Sequence, residues 1–344
     1  MAAITTLPLS PTSPSILKIL QQPRSLIVLV LLMWLPLTLN VMLAGSISEA
    51  VRPYLLLPAI PAALLLYGVA VLSWRESPIA IIGLTLIFFW LIVAVTVPFL
   101  PLVDPDKPIA PFAPIGAVKN NHYFILGADF KGRDMLARAL WGCQRVLVWG
   151  VTATLVAYVV GCMFGLVAGY LGGWWDQVIS FLANVLLSFP VMVLFILIMN
   201  YLGASGFNIV IAVTFASAPA IMRIVRGLTF DTKNRDYIFA AQTRGEHPLR
   251  IMIYELLPNA RGPIIVDACL RLGYTTVAIT TLTFLGLGLQ PPDPDWGLMI
   301  KEAANVAKSP QFAYMLLIPA LAVSSLILGF NLIADGLREM SLRD

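Results

Sequence analysis

Apolar runs of about 20 residues, the length needed to cross the hydrocarbon core of a bilayer, recur along this 344-residue chain. Lipid offers no partner to an unpaired backbone N–H or C=O, so each run has to be helical. Only 12% of residues are charged and 59% are apolar, against about 25% charged in a soluble domain. With a mean hydropathy of +0.87, neither a cytosolic globule nor a disordered chain fits. No alternation of the kind that builds a transmembrane β-barrel is visible. The expected fold is all-α, a polytopic helical membrane bundle of about eight transmembrane helices.

The candidate spans are 26–44, 55–72, 79–99, 146–171, 178–202, 208–225, 263–287 and 312–334. The first is longer than the apolar region of a signal peptide and reads as a retained span, although Ala44, Gly45 and Ser46 are small, as at a cleavage site. Residues 1–24, with Pro8, Pro11 and Pro14, read as a flexible tail. An even number of spans puts both termini on one face. The long connections 101–145 and 227–262 are separated by three spans and so lie on opposite faces. Lys233, Arg235, Arg244, Arg250 and Arg261, preceded by Arg223 and Arg226, place the second connection and both termini in the cytoplasm. Lys107, Lys119, Lys131, Arg133, Arg138 and Arg145 on the other connection narrow that margin.

The net charge of +4 is scattered through these loops and reads as a topology signal rather than a nucleic-acid footprint. Cys143, Cys162 and Cys269 behave as small apolar residues and suggest no disulfide framework. Gly127 and Gly132, followed by Arg133 and Asp134, come near a phosphate-binding loop. They lack its Lys and its Ser or Thr, and Asp134 would repel phosphate. His122 and His247 are the two histidines, neither near other ligands at metal spacing, and no nucleophile elbow is present. No catalytic residue, no metal site and no cofactor is expected in this chain.

Four features carry the positive reading. Ala153, Ala157, Gly161, Gly165 and Gly169 recur every four residues and make one helix face small enough for close packing. Asp267 and Arg271 stand one helical turn apart inside a span, where such charges pair or face a water-filled cavity, so they are a candidate translocation pathway. Pro291, Pro292 and Trp296 make a stiff segment on the outer face, a candidate contact for an external protein. In the cytoplasmic connection, Tyr237 precedes Ala240 and Ala241, a pair small enough to allow close approach of a partner surface; Gly245 permits a turn, and Leu257-Pro258-Asn259 marks re-entry to the membrane.

That connection resembles the EAA loop of ABC importer permeases at Ala240, Ala241, Gly245, Leu257, Pro258 and Asn259. Phe239 stands where the family has Glu, and Glu255 where His is frequent. Three further stretches are similar to the C-type permease subunit of dipeptide, oligopeptide and nickel importers: Leu126 to Asp129 with Gly132, Arg133, Asp134 and Arg138; Phe284 to Gly288 with Gln290, Pro291, Pro292, Trp296 and Gly297; and Asn331 with Asp335 to Arg338. The resemblance implies a six-helix type I importer core at 76–344, with two additional helices at 25–75. It implies a subunit of an ATP-driven peptide importer in the bacterial inner membrane, coupled through the loop at 227–262 to two cytoplasmic ATPases that carry ATP and magnesium. A B-type permease and an extracytoplasmic substrate-binding protein are the other implied partners. The competing readings are the same family with a nickel chelate or another small solute as cargo, and a secondary transporter.

Overall fold

A computed structural model of the protein describes residues 38, 59–73, 77–291 and 293–341. The expected tail at 1–24, the span 26–44 and the first part of span 55–72 lie outside the described residues, apart from residue 38. Helix α1 (Ala59–Ser73) packs on α2 (Pro78–Thr96), where the Tyr67 and Phe88 rings meet at 5.2 Å. Helix α2 begins as its sequence dictates: the Ser77 hydroxyl accepts the Ala80 N–H and Pro78 fills a position that needs no donor. Its run is uniformly apolar and continues to Phe99 as one long candidate span.

The connection after α2 is ordered rather than a plain loop. Strands β1 (Ala117–Lys119) and β2 (His122–Phe124) pair antiparallel. Asn120 and Asn121 join them, both at positive φ (49° and 59°), the geometry of a tight two-residue hairpin turn that Asn tolerates. Asp134 then caps α3 (Met135–Leu171), accepting the Ala137 N–H at 2.9 Å. At 1.5 Å per residue these 37 residues reach about 55 Å, well beyond the hydrocarbon core. The expected span 146–171 is therefore the apolar part of a longer helix.

Span 178–202 is not one straight crossing. It consists of α4 (Gly173–Leu187) and α5 (Val191–Leu202), bent by 89°. The break falls at Ser188, Phe189 and Pro190; the proline has no N–H for a helical bond and disfavours a helical residue before it. Helix α6 (Gly206–Thr232) follows, capped by the Ser205 hydroxyl and running past the expected end at 225. Helix α7 (Asp236–Thr243) and a π-helical turn, Ile251–Leu256, form the next connection. Then come α8 (Arg261–Leu285), the short α9 (Trp296–Ala303) and α10 (Tyr314–Ser341). Among the described residues five helices are long and apolar enough to span a membrane, or six if the bent pair is one span.

Two helix pairs organise the core. In the first, α2 lies along α10: a Cβ on Gly83 would stand 2.7 Å from the Ile333 backbone nitrogen, and the Trp90 indole donates to the Ser325 hydroxyl at 2.9 Å. In the second, the small-residue face of α3 meets α6. A Cβ on Gly161 would lie 2.7 Å from that of Ile221, on Gly165 2.7 Å from that of Val225, and on Gly169 2.6 Å from that of Thr229. The absent methyls are what let these backbones approach.

Candidate functional site

At the end of the bundle formed by α7 and the π-helical turn, one face of the connection is buried on the protein itself. Ile238, Ala241, Ile251, Met252 and Leu256 pack with Ala157 and Tyr158 of α3 and with Ile221 and Val225 of α6. Helix α7 ends in a Schellman motif: the Gly245 N–H donates to the Gln242 carbonyl at 2.9 Å, and the Glu246 N–H to the Ala241 carbonyl at 3.2 Å. Gly245 holds φ +75° with open space where a Cβ would be, so backbone conformation, not crowding, requires glycine there. Arg244 pairs with Glu246 at 2.8 Å, and Glu255, in place of the expected His, stands 3.9 Å from the same guanidinium. Asn259 donates to the Glu255 carbonyl at 2.6 Å, holding Leu257 and Pro258 against the re-entry into α8.

The opposite face is exposed and sets apolar groups among charged ones. Phe239 (51% exposed), Leu249, Ile253 and Tyr254 (71%) face outward. Glu246, Arg250 and Glu255 complete the cleft that Leu249, Ile253 and Tyr254 line. Of the small pair, Ala240 is exposed and Ala241 fully buried. The expectation that both alanines admit a partner is corrected for Ala241, whose methyl fits against α3 and α6. Tyr237 is half-buried on the same internal face.

Inside the spans, Asp267 and Arg271 form an ion pair, Arg271 Nε to Asp267 Oδ2 at 2.7 Å, and the Tyr158 hydroxyl donates to the same oxygen at 2.5 Å. The pair is not sealed off, with side-chain exposures of 22% and 17%. Tyr274, one turn beyond Arg271, is 67% exposed. Helix α8 is the least hydropathic of the five spans, and only 33% of its most apolar stretch is buried, the lowest share among them.

The hairpin end is held by buried charge. Arg133 binds Asp129 at 2.6 Å and Glu302 at 2.5 Å, while Lys131 reaches Glu302 at 2.7 Å and Arg138 binds Asp106 at 2.9 Å. Burial pushes the Glu302 carboxyl up, but Lys131, Arg133 and Arg138 outweigh it and hold the group below its ordinary range. Asp106, with Arg138 as its counterweight, stays raised by burial. His122 pairs with Asp134 at 2.7 Å. The segment that comes near a phosphate loop is therefore closed on itself: the Asp129 carboxylate accepts the Lys131 and Arg133 N–H groups, each at 2.9 Å, and leaves no cradle.

Trp296 corrects the reading of the outer segment. It is fully buried, its indole donates to the Ala139 carbonyl at 2.8 Å, and its ring meets Trp90 edge-on at 4.9 Å. It anchors α9 between α2 and α3 and is not available to an external protein. Pro291 is exposed, and Pro292 lies outside the described residues. Beside Trp296, Asp295 is fully buried and accepts the Gly297 and Leu298 N–H groups. Burial raises its carboxyl to about 6. Sequence reasoning missed Glu302 and Asp295; one lies within and the other just before a helix of eight residues, too short to stand out as a span.

Comparison with known proteins gives this geometry its place. Residues 161–343 match the family described as the binding-protein-dependent transport system inner membrane component. The glutathione transport system permease protein GsiD of Pectobacterium atrosepticum is 38% identical over 62% of this chain and 70% of its own length. Two dipeptide transport system permease proteins, both DppC, are similar over more of the chain. That of Alkalihalophilus pseudofirmus is 34% identical over 78% of this chain and 90% of its own length, and that of Haemophilus influenzae 32% over 77% and 90%. This chain belongs to the binding-protein-dependent inner membrane components, the helical multi-pass permeases of ABC importers.

Proposed function

We propose that this chain is one permease subunit of an ATP-driven importer that moves di- or oligopeptides across the cytoplasmic membrane, with both of its termini in the cytoplasm. The observation that carries the reading is α8, a membrane span whose Asp267–Arg271 pair is only partly covered by its own chain and whose Tyr274, on the same face, is exposed. Charged and phenolic groups at that depth do not face lipid; they line a water-filled passage or pair across it. A B-type permease supplies the other wall of the passage, and an extracytoplasmic binding protein delivers the cargo. Peptide cargo follows the dipeptide and glutathione permeases to which the chain is similar.

The energy comes from outside the chain. Two cytoplasmic ATPases, which bind ATP and magnesium, dock on the bare face of Phe239, Leu249, Ile253 and Tyr254. The buried face of the same connection joins it to α3 and α6, so a push on one is felt by the other. Closure of the ATPases then shifts the spans between inward-open and outward-open arrangements.

The test is uptake of a labelled dipeptide into proteoliposomes that hold the whole transporter, with its binding protein added. Uptake is expected to require ATP, and a Trp projecting from the bare surface in Gly245→Trp is expected to release the ATPases and abolish uptake. Uptake that survives ATP depletion would overturn the reading in favour of a secondary transporter. Competition by a nickel chelate but not by peptides would keep the family and replace the cargo.

A further inference from the structure

One cavity lies apart from α8 and the α7 connection. It is a groove of about 440 Å³ between α3, α4 and α6, with Phe164, Leu182, Phe215, Ala218, Pro219 and Met222 among its walls. Its one polar side chain, Thr214, is already satisfied, its hydroxyl donating to the Val210 carbonyl at 2.7 Å. Nothing in the groove can recognise a polar ligand. A helix about 10 Å across is too wide to enter it and could only lie over it, whereas a slender hydrocarbon chain fits within.

The groove has a charged mouth. Arg223 stands one turn beyond Pro219, on the same face of α6, and is exposed. Its hydrogen-bond partner on α4 is the neutral Asn184, at 2.9 Å, and it has no carboxylate partner among the described residues. Arg226, one turn further, differs: its Nε and Nη2 both donate to the Asp176 carboxylate of α4. Two arginines thus reach from α6 to α4, and only the one at the groove keeps an uncompensated charge. Trp174 and Trp175, exposed next to Asp176, mark the depth of the membrane interface at this end, where indoles settle.

We propose that this groove holds an acyl chain of an anionic phospholipid whose phosphate rests on Arg223. The site couples lipid to the bent helix pair, because α4 forms one wall of the groove and leads directly into the 89° bend. It is independent of the cargo and of the ATPase surface.

The test uses the intact transporter in nanodiscs of equal phosphatidylglycerol and phosphatidylcholine, with retained lipid counted by native mass spectrometry. The native complex is expected to keep one phosphatidylglycerol in preference to phosphatidylcholine. Arg223→Gln is expected to reduce that preference about five-fold, the effect of one basic residue at an anionic surface, and Ala218→Phe to displace the lipid altogether. Equal retention in the native complex and in Arg223→Gln would overturn the proposal. Should Ala218→Phe fail to fold, a photo-crosslinking residue at the exposed position of Phe215 decides: crosslinks to phosphatidylglycerol support the site, and crosslinks to a partner polypeptide overturn it.

Discussion

Helices α2 and α8 are both long enough to cross a membrane, yet they relate polarity to burial in opposite ways. The span from Pro78 to Phe99 has no charged residue and is the most hydropathic of the five, and half of its most apolar stretch is buried against neighbours. The span from Arg261 to Leu285 carries Asp267, Arg271 and Tyr274 and a run of threonines, and it is the least covered. Thr275, Thr276 and Thr283 of α8 are buried, whereas Tyr274, Val277 and Phe284 are exposed, so what sets α8 apart is a partly covered ion pair beside an exposed tyrosine. That flank is where the proposed function puts the passage.

Substitutions break this contrast in order of expected effect. Gly83→Leu on α2 drives a side chain into the α10 backbone and is expected to prevent the pair from closing. No monodisperse protein should survive size-exclusion chromatography in mild detergent. Next comes Asp295, which packs beside the end of α8 with its carboxyl raised to about 6. A raised folded pKa contributes stability below the unfolded value of about 3.9 that is lost as pH rises through 6, on the order of 3 kcal/mol. The thermal midpoint should therefore fall between pH 4 and pH 6, and Asp295→Asn should flatten that slope.

Arg271→Leu on α8 should leave assembly intact and slow peptide uptake about tenfold, or ~1.4 kcal/mol. Unchanged uptake kinetics would make the Asp267–Arg271 pair a packing device. Tyr274→Phe is the smallest change: an exposed site away from the core should move stability by less than about 0.5 kcal/mol. An effect on uptake without one on the melting curve would sharpen the assignment of α8 to the passage.

The spans were legible because apolar length is a local property. The small-residue face of α3 was legible as well: its period of four puts Gly161, Gly165 and Gly169 on one line, and α6 is the helix that meets them. The bend at Ser188 to Pro190 escaped notice, since a proline flanked by apolar residues leaves the hydropathy signal unbroken. Trp296 looked like an exposed contact because it sits among prolines and acids, and only the packing of α9 between α2 and α3 buries it. Ala241 was read with Ala240 as one outward pair, but adjacent residues on a helix point in different directions, and α3 and α6 claim one of them.

Sequence alone determined that this chain is a helical membrane protein, that Gly245 permits the turn after α7, and that Asp267 and Arg271 share a helix face. Those are consequences of composition, period and backbone chemistry within a few residues. Tertiary structure decided which charges are buried and which are open: Glu302 gathers Lys131, Arg133 and Arg138 from about 170 positions away, while the Asp267–Arg271 pair of α8 stays partly open. Pairing at such separation depends on how whole helices pack, and no local pattern encodes the partner.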